Sequence, residues 1–220
     1  MQNVETAPIV RVVTSSLFEE NAYLVSLAKD GDCIVVDPGL DADQIVEALQ
    51  TAGLNPVAIL NTHGHGDHIA GNELLKQTWP DAPLIIGAGD AWKLTDPAGN
   101  LSAGFGMPMV SPKADQTVSE GDVLEFAGVR WTVLETPGHS GGHVVFVAKE
   151  LSPVIVLGGD VLFAGGIGRS DFPDGDHETL LDSIRTKLFP LPDNAVVLPG
   201  HGPPTTVGHE RRTNPYLRRM

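Results

Sequence analysis

Two α/β halves packed sheet against sheet are the fold class that this sequence predicts, and three observations lead there. Short apolar runs rich in β-branched residues alternate with stretches of helical spacing. That alternation occurs twice in similar order, before and after a proline- and glycine-rich stretch at 96–112. No residue-level repeat, low-complexity run or linker separates the two passes. A length of 220 residues lets one domain bury a substantial core, so residues 1–220 read as a single domain.

In order, residues 9–17 and 21–28 read as two strands joined by a short polar turn, with Val12, Val13, Tyr23, Leu24 and Val25 as β-formers. A third strand, 32–37, ends in Asp37-Pro38-Gly39. Ile45, Val46 and Leu49 then fall at helical spacing in 41–52, with acidic residues early and Gly53 as the stop. A strand at 56–61 leads into a histidine-rich loop and a helix through Ile69, Leu74 and Leu75 to about Thr78. Another strand covers 83–86 and a short helix 88–94. The segment 96–112 carries Leu101, Phe105, Met107, Met109 and Val110 among its prolines and glycines; loops of that length are often functional, and it reads as a candidate lid or a plain surface loop. Strands follow at 122–126, 129–136, 143–148 and 153–158, with turns at Ala127-Gly128 and Gly141-Gly142. A helix near 179–188 precedes a last strand at 195–198.

At 41% hydrophobic and 19% charged residues the composition is that of an ordinary globular protein. A net charge of -14 lacks the basic footprint that a nucleic-acid backbone requires. No run approaches the length of a bilayer span, and Met1 to Val10 has no basic stretch leading into an apolar one. The expectation is a cytoplasmic protein with neither nucleic acid nor membrane as partner, and oligomeric state leaves no signal. The single Cys33 sits in an apolar strand pattern and reads as a buried small hydrophobe. Arg211, Arg212, Arg218 and Arg219 crowd the last ten residues, as a solvated helix end against acidic surface or, more sharply, as a substrate or subunit contact.

Chemistry concentrates in Thr62-His63-Gly64-His65-Gly66-Asp67-His68, three imidazoles and a carboxylate in six residues directly after an apolar strand. Neutral imidazoles and carboxylates are the ligands that suit zinc, iron or manganese. His63 and His65 can share one direction while Asp67 and His68, opening a helix, point to another, so the loop could serve two adjacent metals. Three more candidates each follow the end of an expected strand beside glycine: His139 in Thr-Pro-Gly-His, Asp160 in Gly-Gly-Asp, and His201 in Pro-Gly-His-Gly. Strand ends are where a rigid sheet presents side chains to a shared cleft.

With these residues the chain resembles the metallo-β-lactamase superfamily, whose pattern H-x-H-x-D-H, then His, Asp and His, is met in full and in order. The stretches 136–143 and 159–173 look like the glyoxalase II-type hydrolases, and the tail from His201 to Leu217 is similar to their short bacterial branch. The resemblance implies an αβ/βα sandwich of two mixed sheets flanked by helices. It implies two divalent metal ions, foremost zinc, with iron or manganese as alternatives. By position, His63, His65 and His139 fall to one metal and Asp67, His68 and His201 to the other, with Asp160 bridging; Asp67 and Asp160 are the implied catalytic carboxylates. A cysteine at the bridging position would mark a β-lactamase, and here it is aspartate. Arg169 stands where the family carries a thiol-binding lysine, while the tyrosine two positions on is Asp171.

The activity implied is hydrolysis of hydroxyacyl thioesters, such as a lactoyl thioester of glutathione or another small thiol, by a metal-bridging hydroxide. A thioester suits a site without an evident general acid, because its thiolate leaves readily at a thiol pKa of about 8.5. Rival readings are a mononuclear iron persulfide dioxygenase and a non-catalytic metal-binding module. Gly138-His139-Ser140-Gly141-Gly142 also matches the G-x-S-x-G elbow of serine hydrolases, but that elbow needs a helix after it and the residues from His143 read as a strand. His143, His177 and His209 are expected to be non-catalytic. Asp37 and Thr62 read either as supports for ligand imidazoles or as turn and cap residues.

Overall fold

Apolar side chains alternate on strands that are covered on both faces, and that alternation sorts the core of this computed structural model, which describes residues 7–217. The first half contributes β1 (Ile9–Thr14), β2 (Asn21–Ser26), β3 (Gly31–Val36), α1 (Ala42–Thr51), β4 (Leu54–Asn61), α2 (Gly66–Ile69), α3 (Asn72–Thr78), β5 (Leu84–Gly87) and β6 (Gln116–Val118). The second contributes β7 (Val123–Phe126), β8 (Val129–Glu135), β9 (Val144–Ala148), β10 (Ile155–Gly159), the hairpin β11 (Leu162–Phe163) and β12 (Gly166–Ile167), α4 (His177–Ser183), β13 (Val196–Pro199), β14 (Thr205–Thr206) and α5 (Val207–Thr213). One six-stranded sheet runs β1-β2-β3-β4-β5-β6 and the other β14-β13-β10-β9-β8-β7; both mix parallel and antiparallel neighbours.

Along β9, Val144, Phe146 and Ala148 face the partner sheet and share one core cluster with its Ile34 and Leu60. Val145 and Val147 turn the other way onto Leu180, Ile184 and Val207. Along β3, Ile34 and Val36 point inward while Cys33 and Val35 pack under Ile45, Leu49 and Leu75. A period of two on doubly covered strands therefore gives four layers, helices outside two sheets. Cys33 is fully buried, and burial pushes its thiol up to about 12, as suits a small hydrophobe.

The two-halved order expected from sequence is present, with differences at the edges. The helix expected to run on to Thr78 is broken between α2 and α3 at Gly71. Its N–H donates to the Pro38 carbonyl at 2.7 Å, and a Cβ there would lie 2.9 Å from the carbonyls of both Pro38 and Gly39. The break lets Asp67 and His68 point away from the helix that follows. The helix expected at 88–94 is a tighter 3₁₀ segment, Ala91–Thr95, and the one near 179–188 begins at His177, capped by Asp176, and widens into a π-helical turn at Ile184–Leu188. The short strands β6, β11, β12 and β14 and the helix α5 lacked enough periodicity to be read. Arg211 and Arg212 both pair with Asp193, a contact with the chain's own acidic surface, whereas Arg218, Arg219 and residues 1–6 lie outside the described residues. Among the described residues no helix is long and apolar enough to cross a membrane.

Phe146 is fully buried between the sheets, so Phe146→Ala should lower stability by about 3–5 kcal/mol, read as a shifted denaturant midpoint with an unchanged slope.

Candidate metal centre

β8, β10 and β13 point the same way in the second sheet, and their carboxyl ends meet that of β4 from the first along one edge of the sandwich. Val144 N–H donates to the Thr62 carbonyl at 2.8 Å, and the Tyr23 hydroxyl to that of Pro199 at 2.8 Å, joining the sheets there. Onto this edge the chain places His63 and His65 after β4, Asp67 and His68 on α2, His139 after β8, Asp160 after β10 and His201 after β13. All seven expected ligand residues are thus brought together.

They form two clusters. His63 Nε2, His65 Nδ1 and His139 Nε2 lie 2.9, 3.1 and 3.2 Å from one another. Beside them His201 Nε2 lies 3.4 Å and His68 Nε2 3.8 Å from Asp67 Oδ2. Asp160 stands between: its Oδ2 is 3.5 Å from His139 Nε2 and 3.6 Å from His201 Nε2, and its Oδ1 is 3.6 Å from His68 Nε2. Gly200 makes the approach possible, since a Cβ there would lie 2.3 Å from Asp160 Oδ1 and 2.6 Å from the His68 ring.

The outward ring nitrogens identify what the inward ones offer. His139 Nδ1 donates to the Arg169 carbonyl at 2.7 Å, His201 Nδ1 to that of Phe18 at 3.1 Å, and His68 Nδ1 to Asp37 Oδ2 at 3.2 Å. The Thr62 hydroxyl gives its proton to Asp37 Oδ2 at 2.7 Å, so it accepts from His63 Nδ1 at 3.1 Å. Each of these four rings therefore turns a lone pair inward. Burial first, then neighbouring imidazoles, holds His63 and His65 well below the ordinary histidine pKa, and burial also lowers His139. Neutral imidazole is the ligating form. At His68 burial works against protonation, but Asp67, Asp160 and Asp37 outweigh it and raise the pKa; at His201 burial is outweighed by Asp67 and Asp160. The field on that side favours a positive charge.

A divalent metal fits these groups. Nitrogens bound tetrahedrally at roughly 2.0–2.1 Å sit about 3.3 Å apart, close to the spacing within the first cluster. His68 Nε2 and Asp160 Oδ1 are buried without a hydrogen-bond partner, which costs free energy that a cation would recover. A third grouping, Asp37 with His63 and His68, is a support: Asp37 takes the outward nitrogen of His68 and the N–H of Thr62, from a left-handed backbone with φ at 47°.

Several residues that shape the centre were not singled out from sequence. Asp90 and Lys93 are buried and paired at 3.2 Å. Asp90 also accepts from Gly64 N–H at 2.9 Å, Ser140 Oγ at 2.7 Å and Gly142 N–H at 2.8 Å, clamping the first ligand loop to the one that carries His139. Lys93 continues to Asp174 at 2.6 Å. Ser140, the apparent elbow serine, is therefore fully buried and engaged as a donor to a carboxylate. His143 is no ligand, but it stacks on His63 and its Nε2 accepts from Asp160 N–H at 3.1 Å, fixing the residue between the clusters. Glu20 is fully buried with neither oxygen paired, and burial raises its pKa well above the ordinary carboxylate value. The sequence signals were faint: Asp90 and Lys93 share one face of a short turn, and Glu20 interrupts a strand boundary. His177 and His209 are exposed and lie away from the clusters.

His65, Asp67, His139, Asp160 and His201 floor a cavity of about 300 Å³, with His63 and His68 buried beneath it. Its rim includes Arg169, whose guanidinium pairs with Asp171 through Nε at 3.0 Å and Nη2 at 2.9 Å and stacks over Phe172. The 96–112 segment forms one wall. Asn100 and Ser102 pin it: Gly66 N–H donates to the Asn100 carbonyl, and Ser102 Oγ accepts from Met109 N–H.

A two-sheet sandwich with these clusters at its strand ends defines a metal-dependent class of protein. The sequence pattern of the Metallo-beta-lactamase superfamily matches residues 16–201, and the chain belongs to that superfamily. It is similar to the hydroxyacylglutathione hydrolase GloC of Haemophilus influenzae, 36% identical over an alignment of 211 residues that covers 94% of this chain and 97% of that one. Among solved structures it resembles BLEG-1 B3 metallo-beta-lactamase with a TM-score of 0.89 at 34% identity, covering 95% of this chain and 99% of the other. It also resembles TTHA1623 in a di-iron-bound form, with a TM-score of 0.82 at 37% identity, covering 94% and 100%. The superfamily and the clusters together support bound divalent metals, with iron as well as zinc among the candidates.

Two outcomes follow. A chelator that strips the metal should lower the melting temperature on the order of 10 °C, because binding to the native state alone adds about 4 kcal/mol at a thousandfold excess over the dissociation constant; calorimetry with metal analysis of the same sample checks this. Lys93→Met leaves Asp90 buried with its cation gone and should cost about 3–5 kcal/mol in a denaturant titration.

Proposed function

We propose that this protein is a metal-dependent hydrolase of hydroxyacyl thioesters, acting as one domain over residues 1–220. In this reading His63, His65 and His139 hold one divalent ion and Asp67, His68 and His201 the other, with Asp160 shared. The observation that carries it is that both ligand sets are complete and that members of each, His65 and His139 of one and Asp67 and His201 of the other, line a single cavity, with Asp160 oxygens within 3.6 Å of each set. Two bound metals would supply activated water and positive charge for a carbonyl oxygen that turns negative.

The chain's own groups do the rest. The outward hydrogen bonds of His63, His68, His139 and His201 fix each ring, so their lone pairs need no reorganisation when substrate arrives. Asp67 and Asp160, both on the cavity floor, are the catalytic carboxylates proposed, which would orient the activated water by accepting its hydrogen bond. The leaving thiolate is stable enough to depart without a dedicated acid. Arg169 is the proposed substrate contact at the rim, where its fork is shared with Asp171. The likeness to a hydroxyacylglutathione hydrolase supports the substrate class, glutathione or another small thiol being the carrier. The β-lactamase likeness makes a β-lactam one informative control, and the rival reading as a mononuclear iron dioxygenase makes a persulfide the other.

Thiol release from a lactoyl thioester should proceed at the same rate in air and in anaerobic buffer, and His201→Ala should reduce it by about a hundredfold or more. Oxygen uptake with a persulfide at higher efficiency, indifferent to His201→Ala, would make the protein a dioxygenase. Faster opening of a β-lactam than of any thioester would move it to that substrate, and metal binding with no turnover of any of the three would leave a binding module.

A further inference from the structure

The cavity above the ligand clusters is walled by side chains that the ligand pattern does not require. Phe18 comes from the β1–β2 turn, Phe105 and Met109 from the 96–112 segment, and Phe163, Ile167 and Phe172 from the stretch around the β11–β12 hairpin. Three separate stretches of chain thus supply apolar groups to one opening. Phe18 and Phe105 meet edge to face at 5.4 Å between ring centroids. More telling is where the wall begins. Phe172 packs edge-on against the ligand imidazoles themselves, 5.2 Å from His65 and 5.5 Å from His139, and Phe163 stands 6.3 Å from His201. Aromatic surface therefore begins directly beside the ligand rings, next to where a carbonyl held at the clusters would lie.

Polar recognition is correspondingly scarce. Among the described residues Arg169 is the one guanidinium or ammonium group lining the cavity, and Asp171 takes its Nε and Nη2 N–H groups. Asn100 and Ser102 also line it, but the Ser102 hydroxyl donates to Asn100 Oδ1 and the Asn100 amide to the carbonyls of Lys93 and Met109. At about 300 Å³ the cavity sits at the small end of ligand sites. It has room for a modest apolar substituent beside the reacting group.

We propose that this wall selects the acyl side of the substrate: 2-hydroxyacyl thioesters bearing an aliphatic chain or aromatic ring on the hydroxyl-bearing carbon, in preference to the methyl of a lactoyl group. The proposal rests on the thioester-hydrolase reading above. The supply reaction must then be one that makes such thioesters from an apolar 2-oxoaldehyde and a thiol.

Chain length provides the test. On the metal-loaded full chain, kcat/KM is measured for lactoyl, 2-hydroxybutyryl, 2-hydroxyhexanoyl and mandeloyl thioesters of one thiol, glutathione. Each methylene moved from water onto apolar wall should raise it about fourfold, chiefly through KM, with the mandeloyl thioester more than tenfold above lactoyl. Phe105→Ala, at a half-exposed ring whose loss does not open the core, should flatten the slope. A flat or falling series with the lactoyl thioester still hydrolysed overturns this proposal and leaves the hydrolase reading standing. Failure of every thioester overturns the hydrolase reading; calorimetric binding of 2-hydroxyoctanoate, mandelate and lactate to the metal-loaded protein then decides the wall separately. Equal affinity for the three would reject it.

Discussion

Lone pairs crowded together in a buried place are the constraint on which this structure depends. Thr62, Asp37, and the carbonyls of Arg169 and Phe18 take the outward N–H groups of four histidines. Each ring is then left with an acceptor facing other acceptors, His63 and His139 at 3.2 Å, with Asp160 oxygens close by. Repulsion among such groups is expensive where water is scarce. A cation turns it into attraction, so the hydrogen bonds that look like ordinary loop closure also decide that the centre is built for metal.

The sandwich exists in a form that can hold this arrangement still. Four strands end along one edge, and the bonds that cross there join the two sheets next to the ligands. The Asp90–Lys93 pair extends the same logic. A buried ion pair is weak evidence for stability, because desolvation offsets most of the attraction. Its use here is geometric: one carboxylate accepts from Gly64, Ser140 and Gly142, which belong to two ligand loops far apart in sequence. Asp174, reached through Lys93, also accepts from Gly141 N–H at 3.0 Å, so the clamp reaches the segment that carries Arg169 and Phe172.

Much of the centre was legible in the sequence because metal ligation limits the choice of residue type and strand ends limit the place. H-x-H-x-D-H after an apolar run, and His139, Asp160 and His201 beside strand-terminal glycines, carry both kinds of information locally. Asp37 and Thr62 stood undecided between cap and support, and their bonds to His63 and His68 make them supports. What could not be read depends on partners distant along the chain. Asp90 and Lys93 look like any charged turn until residues 26 to 81 positions away in sequence close over them, and Glu20 looks like the end of a polar hairpin. The break at Gly71 was hidden for a similar reason: the spacing of Ile69, Leu74 and Leu75 suits one helix, and only the carbonyls of Pro38 and Gly39 interrupt it. The 96–112 segment, open between lid and loop in sequence, is a wall because Asn100 and Ser102 satisfy its backbone from within.

The most direct test of this account is anomalous diffraction from crystals of the metal-loaded protein, collected on both sides of the absorption edge of the metal present. Two peaks are expected, one among His63, His65 and His139 and one among Asp67, His68 and His201, with Asp160 density reaching both. A single peak, or one centred on Asp37, would contradict it.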